Sequence, residues 1–127
     1  MSTPRLDKRG FTNHNPTTEK IVGSFEVDAA PATALANIRG VGFTGAVTAA
    51  GRYTLTLDNA AYRLVSGSAT CEITSGAVDM YAQLGTFTGG AAPTVVIRCM
   101  TAAVETDLPV GDRVHFELTV YGNPVDA

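Results

Sequence analysis

The chain contains no tryptophan and only two histidines, two cysteines and two lysines among its 127 residues. A serine hydrolase needs a histidine base beside its nucleophile, and only His14 and His115 could provide one. His14 lies in an irregular N-terminal stretch, and His115 alternates outward within a predicted strand. The sequence therefore disfavours nucleophilic hydrolysis.

Acidic residues offer little more chemistry. Two carboxylate pairs could in principle hydrolyse sugars, Glu72 with Asp79 flanking one predicted hairpin and Glu105 with Asp107 in one loop. The chain has no tryptophan, and the sequence indicates no substrate groove lined by several of its four tyrosines. We expect solvated acids, no catalytic residue and no enzyme activity.

Metal binding is equally poorly supported. Cys71 and Cys99 each lie inside an alternating pattern with no histidine nearby, which makes a poor zinc ligand set. We expect two buried thiols and keep a disulfide between them as the alternative. Glu105, Asp107 and Asp112 could supply calcium ligands, but their spacing matches no EF-hand. The sequence predicts neither a metal site nor a cofactor.

Long apolar runs are missing. No run of 18 apolar residues is present, and the stretch from Met1 to Gly23 has no continuous apolar core of the kind found in signal peptides. We expect a soluble product of the cytoplasm with no membrane partner.

Charged residues make up 17% of the chain, below the usual quarter. Residues 1–20 carry four basic and two acidic side chains, whereas residues 21–127 carry five arginines and ten acids. An acidic body is a poor partner for nucleic acid. Both lysines lie in the basic segment, so the body lacks the lysines that usually protect edge strands. This favours a body partly covered by neighbouring proteins.

Three glycines, Gly40, Gly42 and Gly45, have the G-x-G-x-x-G spacing of dinucleotide-binding loops. That motif requires a helix opening on the last glycine, with its N-terminus facing the pyrophosphate. Only five residues separate Gly45 from Gly51, and a strand pattern follows, so no crossover helix fits. We expect these glycines to form bends or bulges in β structure.

Apolar residues recur with period two from Ile21 onward, which is typical of strands with one buried face. In Arg113–Tyr121 the alternation places Val114, Phe116, Leu118 and Val120 inward, and it places Arg113, His115, Glu117 and Thr119 toward solvent or a partner. We predict an all-β fold, a single β-sandwich of two packed, mainly antiparallel sheets, jelly-roll or Ig-like, with an extended N-terminal arm. The arm covers residues 1–22 and the sandwich residues 23–127. The predicted strands are Ile21–Asp28, Ala34–Arg39, Phe43–Thr48, Arg52–Asp58, Leu64–Ile73, Val78–Phe87, Thr94–Ala102 and Arg113–Tyr121.

The arm mixes prolines, glycine and asparagines with charges and shows no periodicity. It combines basic residues with two apolar anchors, a composition that suits a segment which orders on contact with a protein. The predicted partner-binding residues are Arg5, Leu6, Lys8, Arg9 and Phe11.

The order of several motifs resembles a type of small virion protein of tailed bacteriophages. These motifs are GSFEV, RGVGFTGAV, GRYTLTLDNAAYRL, DMYAQLG, TVVIRCMTA and PVGDRVHFELTVYGNPV, and the run from Ser24 to Tyr121 covers about three-quarters of the chain. The arm matches no motif of this type.

The resemblance implies a capsid decoration (cement) protein, a structural β-sandwich at the capsid surface that binds the major capsid protein and forms a homo-oligomer, with a homotrimer favoured. The alternative is a tail or fibre module of the phage that recognises a host-surface glycan.

Overall fold

Nine β-strands form the regular structure of the computed structural model, which describes residues 18–76 and 79–122. No helix occurs among these residues. The strands are β1 (Thr18–Val27), β2 (Leu35–Gly40), β3 (Phe43–Ala49), β4 (Arg52–Leu57), β5 (Arg63–Glu72), β6 (Met80–Thr88), β7 (Thr94–Thr101), β8 (Val104–Glu105) and β9 (Arg113–Tyr121).

The strands form two packed antiparallel sheets. Sheet I has the order β2-β1-β9-β5, and sheet II has the order β3-β4-β7-β6, with the short strand β8 paired to β7. Edge strands β2 and β3 lie on one side of the sandwich, and edge strands β5 and β6 lie on the other. The prediction of an all-β single sandwich is confirmed.

The core lies between the two sheets, where the period-two pattern directs the apolar side chains. Phe25 and Phe116 of sheet I meet Tyr53 and Phe43 of sheet II, with ring centroids 5.4 Å apart for Phe25–Tyr53 and 4.9 Å for Phe43–Phe116. Both pairs have edge-to-face geometry, which suits the charge distribution of aromatic rings. Burial of each such side chain stabilises the fold by about 1.5–3 kcal/mol.

All three spaced glycines lie in or beside β-strands, and the prediction of bends or bulges fails for Gly45. Gly40, the last residue of β2, and Gly42, in the link to β3, have φ angles of 108° and 94° where the chain passes from one sheet to the other. Gly45 pairs regularly with Leu55 inside β3, and a Cβ atom there would lie 2.5 Å from Leu35 Cδ1. Since β3 is a strand, no helix opens on Gly45.

Two boundaries differ from the sequence prediction. The predicted arm extended to residue 22, but β1 already begins at Thr18. The sequence pattern did not show this earlier start because Glu19 and Lys20 are both polar. Both nevertheless pair with β9. Strand β8 was not predicted at all, because the two residues that turn the chain from β7 into β8 are alanines.

The burial of Arg113 also differs from the sequence prediction. The alternation correctly predicted the inward residues of β9, and it placed Arg113 toward solvent or a partner. Arg113 does lie on the outer face of sheet I, yet it is only 9% exposed. Its guanidinium group donates hydrogen bonds to residues of the neighbouring strands β1 and β2, which hold it against the sheet.

Candidate functional site

The outer face of sheet I carries several charged side chains that pair across strands. Each pair joins side chains of neighbouring strands. The ion pairs are Lys20–Glu117 at 3.0 Å and Arg113–Glu26 at 2.6 Å, and His115 Nε2 forms a 2.7 Å hydrogen bond with Glu72 Oε1. The apolar Val22, which lies opposite Glu117, is also exposed on this face. The exposed pair Lys20–Glu117 contributes little to stability.

Arg113 forms the most buried part of this face. Its Nη1 donates to Ser24 Oγ at 2.8 Å and to the Asn37 carbonyl oxygen at 3.0 Å, and its Nη2 donates to Glu26. The Asn37 amide also donates to Glu26, and this bond, with Arg113, lowers the pKa of that carboxyl below its usual value. The cluster ties three strands of sheet I together.

Sheet II presents a different outer face, on which a row of four threonines crosses all four long strands. The register places Thr44 opposite Thr56, Thr56 opposite Thr94, and Thr94 opposite Thr88. Since neighbouring strands lie about 4.8 Å apart, the row spans about 15 Å.

The next row on this face is also uncharged. Ala46 lies opposite Thr54, and Thr54 lies opposite Val96. Gly85 completes the row, because a Cβ there would lie 3.4 Å from Val96 Cβ. We call these two rows the threonine face. Its side chains are small, carry no ionisable group and can hydrogen-bond through hydroxyls, so a protein surface can pack on it without desolvating a charge.

A small charge cluster borders the threonine face. Arg52 donates twice to Glu105 Oε2, at 3.1 and 2.7 Å, and Arg98 Nε lies 3.4 Å from the same oxygen. Arg98 Nε is buried and forms no hydrogen bond among the described residues. Two cations thus share one carboxylate at the border of the threonine face.

Beyond the arginines lies an apolar rim. Tyr81 is 42% exposed and Val104 is 62% exposed, and Tyr81 lies opposite Met100 in the register. Tyrosine, methionine and arginine are enriched in protein interfaces. An open depression of about 470 Å³ adjoins the rim and is lined by Asp79, Met80, Tyr81, Ala102 and Ala103.

Structural partners bind four of the acids considered for catalysis or calcium binding. Glu72 bonds His115, and Glu105 binds Arg52. Asp107 accepts the backbone N–H groups of Ala32 and Gly51, and Asp112 accepts those of Thr74 and Ser75. Glu72 and Asp79 do not flank a hairpin as expected, because β5 and β6 belong to different sheets. The described residues contain no group of three acids, cysteines or histidines placed to hold a metal.

Sequence reasoning missed the threonine face. The alternation in YTLTLD identifies Thr54 and Thr56 as opposite the core. It cannot show that Thr44, Thr94 and Thr88 fall in the same row, because that depends on strand order. The predicted contact residues Arg5, Leu6, Lys8, Arg9 and Phe11 lie outside the described residues.

Comparison with protein-family models, with curated proteins and with solved structures found no match to this chain. Within the described residues, no helix has the length and apolarity needed to span a membrane.

Proposed function

We propose that the chain is a non-enzymatic structural protein of a tailed-bacteriophage virion. It decorates and stabilises the capsid by binding across neighbouring major capsid protein subunits, after synthesis in the host cytoplasm. The order of strand motifs from Ser24 to Tyr121 supports this proposal through its resemblance to such proteins.

The threonine face is the structural observation that carries the proposal. Sheet I presents paired charges, whereas sheet II presents two uncharged rows bordered by Tyr81, Met100 and Arg98. Charge is depleted at the centres of protein interfaces, and aromatic and arginine side chains are enriched there. Sheet II is therefore the face that we assign to the capsid.

A decoration protein needs contact rather than reactivity. Many copies that each contribute a few kcal/mol can stabilise a shell, because binding to the assembled state shifts the equilibrium toward it. The basic arm provides a second contact through Arg5, Lys8 and Arg9. Assembly into a homo-oligomer, with a homotrimer favoured, would present several threonine faces at once.

Glycan recognition by a phage tail or fibre module is the second candidate, and the depression beside Tyr81 favours it. An exposed tyrosine ring can stack on a sugar, and the Asp79 carboxylate lines the same depression. This candidate predicts a loss of glycan binding in Tyr81→Ala.

The location of the protein in purified phage particles is the first test. Gold labelling across the head supports the decoration proposal. Labelling at the tail tip supports the glycan candidate, and absence from the particle overturns both.

The second test addresses the threonine face. Val96→Lys introduces a charge at its centre and should weaken binding to capsids stripped of the protein at least tenfold, because a buried unpaired charge is costly. Ser68→Lys places the same side chain at an exposed position of β5 in sheet I, and this variant should bind normally. Equal binding by both variants would remove the threonine face from the interface.

A further inference from the structure

Two thiols from different sheets face each other inside the sandwich. Cys71 lies on β5 of sheet I, Cys99 lies on β7 of sheet II, and their sulfur atoms are 4.0 Å apart. Both cysteines are free. Since a disulfide bond has an S–S length of about 2.05 Å, closure requires the sulfurs to approach by about 2 Å.

The surroundings allow that approach. Cys71 lies on an edge strand that only β9 holds within its sheet. Ala82 lies opposite Cys99 in the register, and Ala69 precedes Cys71 on the same face of β5. These small side chains leave the thiols without bulky neighbours at those positions.

The two thiols differ in accessibility and acidity. Cys71 is half-buried, whereas Cys99 is fully buried. The hydrogen bond between the sulfurs lowers the pKa of the Cys71 thiol, and the same bond together with burial raises the pKa of the Cys99 thiol. A thiolate is the attacking species in disulfide exchange, so Cys71 is the residue that reacts first.

We propose that Cys71 and Cys99 form a redox site, at which a low-molecular-weight disulfide such as oxidised glutathione closes an intramolecular cross-link between the two sheets. The Cys71 thiolate attacks one sulfur of the small disulfide, forms a mixed disulfide and releases one thiolate. Cys99 then loses its proton and attacks the Cys71 sulfur, which releases the second thiolate. The protein loses two electrons and two protons, and one small disulfide becomes two small thiols.

The cross-link would join β5 to β7 and close a loop of 29 residues. A closed loop of this size reduces the entropy of the unfolded chain, and we expect the melting temperature to rise by about 10 °C. A physiological role for this bond rests on the proposed function, because a virion leaves a reducing cytoplasm for an oxidising medium. The chemistry itself does not depend on that proposal.

The experiment uses the purified full-length protein under native conditions with oxidised glutathione at pH 8. Intact mass spectrometry should show the loss of two hydrogen atoms, and non-reduced peptide mapping should join Cys71 to Cys99. A reducing agent should reverse both the mass change and the rise in melting temperature.

Two variants distinguish the steps. Cys99→Ala should stop at a stable mixed disulfide on Cys71, and Cys71→Ala should not react while folded, because Cys99 is buried. A wild-type protein that keeps a mixed disulfide on Cys71, forms intermolecular dimers, or does not react would overturn the proposal. None of these outcomes bears on capsid binding, so the two proposals fail separately.

Discussion

Tyr53 illustrates how one buried hydroxyl group connects two parts of the chain. It lies on β4, is fully buried, and its Oη accepts a 2.8 Å hydrogen bond from the backbone N–H of Leu108. Burial raises the pKa of this hydroxyl above its ordinary value, so it stays neutral. Leu108 is also buried, so its N–H depends on Tyr53.

Tyr53→Phe should therefore lower the free energy of unfolding by about 1–3 kcal/mol, the usual cost of leaving a buried donor unpaired. The ring contact with Phe25 remains, so packing is nearly unchanged. Urea denaturation measures the loss. Tyr81→Phe is the control, since Tyr81 is exposed and should change stability little. Equal stability of Tyr53→Phe and wild type would contradict this role for the hydroxyl.

Asp28 makes stability depend on pH. Its carboxylate accepts the hydroxyl of Thr33 and the backbone N–H groups of Thr33 and Ala34, which lowers its pKa to about 2. An unfolded aspartate has a pKa of about 3.9. The stabilisation is therefore complete above about pH 4 and is lost as the pH falls toward 2.

Asp28→Asn should unfold at a lower urea concentration than wild type at pH 7, because an amide cannot accept all three bonds. The difference should narrow between pH 4 and pH 2, as the wild-type carboxylate becomes protonated. Urea midpoints across this range provide the measurement. A difference that is independent of pH would show that the charge of Asp28 does not matter.

The sequence predicted the exposure of some individual side chains and not of others. The alternation in HFELTVY predicted that His115 is exposed, and the structure confirms it. It could not predict the burial of Arg113, because its partners Ser24, Glu26 and Asn37 come from β1 and β2. Contacts between distant segments depend on strand order, which a period of two does not contain.

At the scale of elements, the turn between β3 and β4 fixes how the hairpin meets the rest of sheet II. Gly51 has a φ of 69°, and a Cβ there would lie 2.5 Å from Thr106 N and 2.8 Å from Cys99 O. Its carbonyl accepts the N–H of Cys99, and its N–H donates to Asp107. The glycine thus permits a close approach of two backbones.

Gly51→Ala should cost about 3 kcal/mol, because the left-handed conformation and the backbone clash both oppose a side chain. Gly111 is the matched control, with a φ of 94° and no atom within 4 Å of the added Cβ. Gly111→Ala should cost about 1 kcal/mol, the conformational part alone. Urea denaturation compares the two variants, and equal losses would mean that the close approach at Gly51 is unimportant.

The strands themselves were largely predictable, because one buried face imposes the period-two pattern. The exceptions have local causes. Ala102 and Ala103 form the turn into β8 with φ angles of 51° and 66°, a conformation that usually requires asparagine or glycine. Two alanines therefore do not signal a turn. The sequence also could not predict which strands share a sheet, since β5 and β6 are consecutive in the chain yet belong to different sheets.

At the scale of the whole molecule, the two outer faces carry different chemistry. Sheet I carries the pairs of Lys20, His115 and Arg113 with acidic side chains, and sheet II carries the threonine face with the Arg52–Glu105–Arg98 cluster at its border. Composition shows only a low charge content, whereas strand order groups the uncharged side chains into two adjacent rows. The proposed capsid contact uses these rows.

The arm and the threonine face should act as two linked contacts. Deletion of residues 1–17 should leave the melting temperature unchanged, because β1 begins at Thr18 and the deletion removes none of the buried core residues from Ile21 to Val120. Binding to stripped capsids should weaken by 10²–10⁴, since a tethered second contact gains from its high effective concentration.

Co-sedimentation with stripped capsids measures this loss, and circular dichroism measures melting. Replacing Arg5, Lys8 and Arg9 by glutamine keeps the length of the arm and tests its charge alone. If the charge carries the contact, this variant should bind as poorly as the truncation, and its binding should be nearly insensitive to salt compared with wild type. Normal decoration by the truncated protein would assign the whole of binding to the sandwich and remove the arm from the interface.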